Sequence, residues 1–128
     1  AGRSAVTPER VAINVDDARI PDNAGQQPVD APIVPGGPAA YFATVPVKDM
    51  VRAIREAGVP SELSNSAGTY VCNHLLYQVL HHAAPGVRAG FIHVPCIPEQ
   101  TEGTDRPSLP LAQLVTALEA AVSACCKG

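Results

Sequence analysis

Stretches of two-residue periodicity alternate along this chain with stretches of helical periodicity, and that alternation restricts it to layered α/β architectures. Residues Arg10 to Val15 read RVAINV, in which Val11, Ile13 and Val15 alternate with Ala12 and Asn14, the pattern of a strand. Pro46 starts and Gly58 stops a segment carrying Val47, Met50, Val51, Ile54 and Ala57 at helical spacing. Val59 to Ser64 follows as a short strand, and Thr69 or Tyr70 to His82 as a second helix with Val71, Leu75 and Val79 on its apolar stripe. Gly90 to Val94, GFIHV, is a third strand, ended by Pro95, which has no amide for a ladder. From about Pro110 to Cys125 a last helix turns Leu111, Leu114, Val115, Leu118, Val122 and Cys125 toward a core. This order predicts an α/β fold with a mainly parallel sheet, in which ligands collect where strands give way to loops and helices.

The long connection between the first strand and first helix is rich in Asp, Gly and Gln, and six prolines fall from Pro21 to Pro46. A connection of that length is functional or disordered, and its apolar residues Ile20, Ile33 and Val34 favour a packed loop with a short hairpin. The whole chain, 128 residues long, reads as a single domain, residues 1–128, and a partial one. Its only methionine is Met50, and it opens directly in motif-like sequence, so it is expected to be a fragment.

Charge and hydropathy exclude several classes of function. The net charge is −3 and the nine Lys and Arg residues are scattered, which leaves no electrostatic footprint for nucleic acid or anionic lipid. No apolar run approaches the roughly 20 residues of a membrane span, and residues 1–10 hold no secretory hydrophobic region. Cys72, Cys96, Cys125 and Cys126 form no disulfide framework and are read as free thiols in a reducing, cytoplasmic compartment.

Chemistry concentrates around Cys72, in SNSAGTYVCNH, after a turn rich in small residues and in the first turn of a helix. Free amides and the macrodipole there favour a thiolate, and an imidazolium nearby would supply what the dipole alone does not. His93, at the end of a short apolar strand, is the histidine placed for that task. His74 projects from a different helix face than Cys72 and reads as a packing or hydrogen-bonding residue, while His81 and His82 read as solvated caps at a helix end. A carboxylate is needed to orient the imidazole. Glu9, Asp16, Asp17 and Asp22 are the candidates and spacing does not choose among them, although Asp16 and Asp22 read first as a solvated face. Cys72, His74, His93 and Cys96 also raise a zinc site, but neither C-x-H nor H-x-x-C has finger spacing, so no metal and no cofactor is expected.

Three segments, TPERVAINVDDARIPDNAGQQPVD (7–30), SNSAGTYVCN (64–73) and GFIHVP (90–95), resemble in that order the signature regions of pyroglutamyl peptidase I, also called pyrrolidone carboxyl peptidase. The likeness continues through GPAAYFATVPVKDMVRAIREAGVP (37–60). The resemblance implies a three-layer α/β/α sandwich with a mainly parallel mixed sheet, and a cytosolic cysteine peptidase that removes an N-terminal pyroglutamyl residue from peptides without a cofactor. It places a catalytic triad on Glu9, Cys72 and His93, puts Arg19 near the nucleophile at the oxyanion, and lines the lactam pocket with Ile20, Tyr70 and Val71. Tyr70 stands where phenylalanine is also common, which adds a hydroxyl in need of a partner. The family's N-terminal strand and GF-containing loop have no counterpart in residues 1–128, so the chain looks like the C-terminal portion, with marginal stability alone and apolar surface exposed along a sheet edge. The expected partners are N-terminally pyroglutamylated peptides and, by family tendency, further copies of the chain; nucleic acid and membrane are not expected. Two competing readings remain: a truncated, catalytically silent paralogue acting as an interaction or structural protein, and a thiol hydrolase of other specificity.

Overall fold

The computed structural model of the protein describes residues 3–127. They gather into two compact units, one holding residues up to Glu9 with Val45–Ser64 and the chain from Phe91 onward, the other holding Arg10–Thr44 and Asn65–Gly90.

In the first unit, β1 (Thr7–Pro8) pairs antiparallel with β4 (Ile92–His93), Thr7 lying opposite His93 and Pro8 opposite Ile92. On its other side the same segment makes single parallel bridges, Val6 to Ser61 and Glu9 to Ser64. Pro8 has no amide to give, and its carbonyl accepts instead from the Ser64 amide at 3.0 Å. The strand expected over Val59 to Ser64 is thus reduced to these bridges. Helix α1 (Val47–Glu56) buries Met50, Val51 and Ile54 as the sequence pattern predicts, with Pro46 just before it. Gly58, at φ +89°, closes its C-terminus by donating to the Arg55 carbonyl.

Helix α3 (Leu111–Lys127) packs on α1 through Leu114 of the predicted stripe, but otherwise through a face other than the predicted one. The buried residues are Leu114, Ala117, Ala121 and Ala124, joined in one core by Val6, Met50, Ile54 and Val59. Leu111, Val115, Leu118 and Val122 are exposed, and Cys125 is only partly buried. Small side chains at 117, 121 and 124 suit close packing of one helix on another.

In the second unit, β2 (Val11–Ile13) pairs antiparallel with β3 (Ala40–Phe42). The connection between them is a packed loop closed by a hairpin-like bridge, in which Asp16 and Ala31 exchange backbone hydrogen bonds of 2.6 and 2.9 Å. Ile33 is buried, whereas Ile20 is exposed. Helix α2 (Val71–His82) packs on β2 and β3 through Asn73, Leu76, Tyr77 and Leu80. The predicted stripe of Val71, Leu75 and Val79 faces outward instead. The α/β class is as expected; both strand pairs among the described residues are antiparallel, and parallel pairing occurs at the isolated bridges. Exposed apolar side chains lie on α2 and α3 and also at the strands, where Ile13 of β2 and Phe42 of β3 are exposed.

Candidate active site

Register explains how Glu9 reaches His93 in the first unit. Thr7 is the direct cross-strand partner of His93, so Glu9, two residues further, points to the same face at the diagonal position, within reach of a long side chain. The Glu9 amide donates to the Phe91 carbonyl at 2.9 Å and prolongs the ladder. Glu9 is fully buried, and its Oε1 lies 2.6 Å from His93 Nδ1. A carboxylate oxygen can only accept, so Nδ1 is the donor in this bond, which turns Nε2 away from Glu9. The same Oε1 also lies 3.1 Å from Arg3 Nη2. Phe91 packs edge-on against the His93 ring at 4.9 Å between centroids, which further restricts its rotation.

Cys72 lies in the second unit, half-buried at the second position of α2. The helix start is tied to the β2 strand and the loop after it by a series of polar contacts. Thr69 Oγ1 donates to the Asp17 carbonyl at 2.8 Å, and its own carbonyl accepts from the Asp17 amide at 2.6 Å. Asn73, almost fully buried, accepts from the Ile13 amide at 2.9 Å and donates to the carbonyls of Ile13 and Val15. Asn73→Leu should therefore strand the Ile13 amide and the Val15 carbonyl, the Ile13 carbonyl keeping its bond from the Val15 amide, and destabilise this unit by about 2–5 kcal/mol, measurable by urea unfolding; loss of under about 0.5 kcal/mol would contradict that role.

Asp16 and Asp22, read from sequence as solvated, both have specific partners. Asp16 Oδ2 pairs with His74 Nδ1 at 2.8 Å, which gives His74 the hydrogen-bonding role expected of it. Tyr70 donates its hydroxyl to Asp22 Oδ2 at 2.9 Å, and the amides of Ala24 and Gln26 donate to Asp22 Oδ1. The Gln26 amide first, then the Tyr70 hydroxyl, hold the Asp22 carboxyl below its ordinary value, while burial and then the Asp22 bond push the Tyr70 phenol up. The clasp therefore gains stability from Asp22 above the ordinary carboxylate range and loses it as pH falls through the lowered value. Tyr70 contributes below the ordinary phenol range, and that is lost as pH rises through the raised value. Tyr70→Phe should shift the Asp22 titration back toward the usual carboxylate value, read by carboxyl-carbon NMR; an unmoved midpoint would show that the hydroxyl has no part in it.

Of the residues expected at a substrate pocket, Tyr70 and Val71 line a cleft of about 920 Å³ in this unit, together with Asp16, Asp22, His74 and Gln78. Arg19 and Ile20 are exposed on the adjoining loop and are not among its lining residues. His81, expected as a solvated cap, bonds through Nδ1 to the Tyr41 hydroxyl at 2.7 Å. Among the described residues no three His, Cys, Asp or Glu side chains gather where they could hold a metal ion, and no helix is long and apolar enough to cross a membrane. Sequence reasoning passed over Arg3 and Asn73. Asn73 left a signal, since it begins a 73, 76, 77, 80 stripe that is apolar apart from itself.

The pyroglutamyl peptidase family model matches residues 1–128. The pyrrolidone-carboxylate peptidase of Vibrio vulnificus (strain CMCP6) is 56% identical over 126 residues, covering 98% of this chain and 59% of that protein. The one from Levilactobacillus brevis is 61% identical over 127 residues, covering 96% and 62%. Among solved structures, pyroglutamyl peptidase I of Bacillus amyloliquefaciens superposes with a TM-score of 0.95 at 47% identity, over 100% of this chain and 64% of that one. A mutant pyrrolidone carboxyl peptidase from the hyperthermophile Pyrococcus furiosus gives 0.92 at 45%, over 98% and 64%. The chain spans about three fifths of the length of these curated relatives. With the family model matched from the first residue to the last, and with relatives well above half identical along it, the chain belongs to the pyroglutamyl peptidase family.

Proposed function

We propose that this chain carries the catalytic residues of a thiol peptidase that cleaves the amide bond after an N-terminal pyroglutamyl residue. The observation that carries the reading is the fully buried Glu9 accepting from His93 Nδ1 at 2.6 Å in a chain of this family. A carboxylate so placed leaves Nε2 as the base that a thiol nucleophile requires, and Cys72 is the thiol at a helix start.

In the proposed cycle His93 Nε2 takes the proton of the Cys72 thiol, the thiolate attacks the pyroglutamyl carbonyl, and electrons from the C=O bond move to oxygen. Collapse of that adduct breaks the C–N bond as His93 Nε2–H protonates the departing amine, leaving a thioester. His93 then takes a proton from water, the hydroxide attacks the thioester, and pyroglutamate leaves as the thiol is restored. Glu9 holds the ring and offsets its charge when protonated. The amide of Cys72 and the guanidinium of Arg19 are assigned to the oxyanion. Ile20, Tyr70 and Val71 are assigned to the lactam ring, whose neutral amide costs far less to bury than the charges of a free glutamyl residue. A thiol nucleophile and the free thiols of Cys96 and Cys126 suit a reducing compartment, and we place the protein in the cytoplasm.

The test is amine release from pyroglutamyl, prolyl and glutamyl arylamides by a protein of the relatives' full length bearing these residues. Turnover confined to the pyroglutamyl amide and abolished by alkylation of Cys72 is expected. Equal turnover of the prolyl amide, or turnover that survives alkylation, would overturn the reading.

A further inference from the structure

We propose that Arg3 is a positioning residue for the Glu9 and His93 pair, an inference that rests on the catalytic reading given above. Glu9 is fully buried, and a buried carboxylate is costly unless both charge and hydrogen bonds compensate it. His93 supplies one hydrogen bond to Oε1, and while its ring is neutral it supplies no opposing charge. Arg3 supplies that charge at all times, because a guanidinium does not lose its proton in a protein, and it does so on the same oxygen, at 3.1 Å. Its other arm is anchored: Nη1 donates to Thr7 Oγ1 at 2.9 Å. Thr7 is in turn the residue directly across the ladder from His93.

The geometry follows from one strand. Residues 7 and 9 share a face, and the Arg3 side chain reaches them from just upstream in the same stretch of chain. Glu9 Oε2 is buried with no hydrogen-bond partner among the described residues, so the two carboxylate oxygens are not equivalent. Both donors converge on Oε1. Two donors on one oxygen resist rotation about the last side-chain torsion, and with Arg3 removed the carboxylate loses one of the two contacts that fix its plane relative to the ring. Arg3 thus acts through Glu9 on the imidazole. Its loss should appear in the chemical step and not in substrate affinity.

The experiment uses a protein of the relatives' full length carrying Arg3→Met, with Arg3→Lys beside it. Arg3→Met is expected to lower kcat by about tenfold to a hundredfold, the loss of a charge-assisted hydrogen bond, with KM within about twofold. The downfield proton resonance of His93 Nδ1–H, recorded without substrate, should move or broaden in Arg3→Met and return toward the parent position in Arg3→Lys. Parent-like kcat and an unmoved resonance in Arg3→Met would overturn the proposal, even with a lowered Tm, because the role would then be structural. Arg3→Gln is read by the same criteria where Arg3→Met does not fold. A parent protein without pyroglutamyl turnover would refute the functional reading instead, and the resonance alone would then decide for or against the positioning of His93 by Arg3.

Discussion

Exchange of Cys72 for serine is expected to lower kcat on pyroglutamyl amides by on the order of 10⁴-fold or more, the scale of loss seen when a member of a nucleophile and base set is removed. The substitution changes one atom at a half-buried position in the first turn of α2. That turn is held from outside the cysteine, by Thr69 on Asp17 and by Asn73 on Ile13 and Val15, so the helix start keeps its place when the sulfur goes. The loss then reports chemistry. An alcohol is a far weaker acid than a thiol, and a base matched to a thiol cannot generate the alkoxide at neutral pH. The check is steady-state kinetics beside thermal unfolding: Tm within a few degrees of the parent, KM within a few-fold and kcat near background. Turnover within about a hundredfold of the parent would remove Cys72 as the nucleophile.

How much of this could be read from sequence depended on which physical signal was unopposed. Helix α1 was legible because its start, stop and apolar stripe agree, and Met50, Val51 and Ile54 are buried as predicted. In α2 and α3 two stripes compete. The wholly aliphatic one, Val71, Leu75 and Val79 or Leu111, Val115, Leu118 and Val122, attracts a hydropathy argument, yet it faces outward. The buried stripe of α2 begins with a polar residue, because Asn73 satisfies backbone groups of β2 and the bend after it, which an apolar side chain could not. The buried stripe of α3 is Leu114 followed by Ala117, Ala121 and Ala124, and small side chains at a helix contact leave little signal in a hydropathy pattern.

The site divides in the same way. Cys72 and His93 stand out by chemistry and local pattern. The carboxylate did not, since Glu9, Asp16, Asp17 and Asp22 are equivalent on spacing, and only the family resemblance singled out Glu9. What distinguishes them is register. Thr7 lying across from His93 brings residue 9 to the ring, whereas Asp16 is engaged by His74 and Asp22 by Tyr70 and two backbone amides. Register in strands of two and three residues arises from long-range pairing and leaves almost no trace in the segment itself.

Glu9→Gln is the substitution that separates the charge of this carboxylate from its shape. The glutamine amide has nearly the same volume, so the fully buried site stays filled, and stability should change by about 1–3 kcal/mol. Two donors, His93 Nδ1 and Arg3 Nη2, meet the present Oε1. If the amide oxygen takes its place, both bonds survive in form, but the imidazolium formed in catalysis loses its counter-charge. If the NH₂ group turns toward the ring, Nδ1 must accept, the proton moves to Nε2, and the base is lost before any substrate binds. Either orientation impairs the same step, so kcat should fall by roughly 10⁴-fold while KM stays within a few-fold, the behaviour of a triad whose orienting carboxylate becomes an amide. Steady-state kinetics with pyroglutamyl arylamide measures both constants, and nitrogen NMR of His93 identifies which ring nitrogen holds the proton. A variant that keeps kcat within about tenfold would show that the Glu9 and His93 hydrogen bond is structural and that catalysis does not depend on the charge beneath the ring.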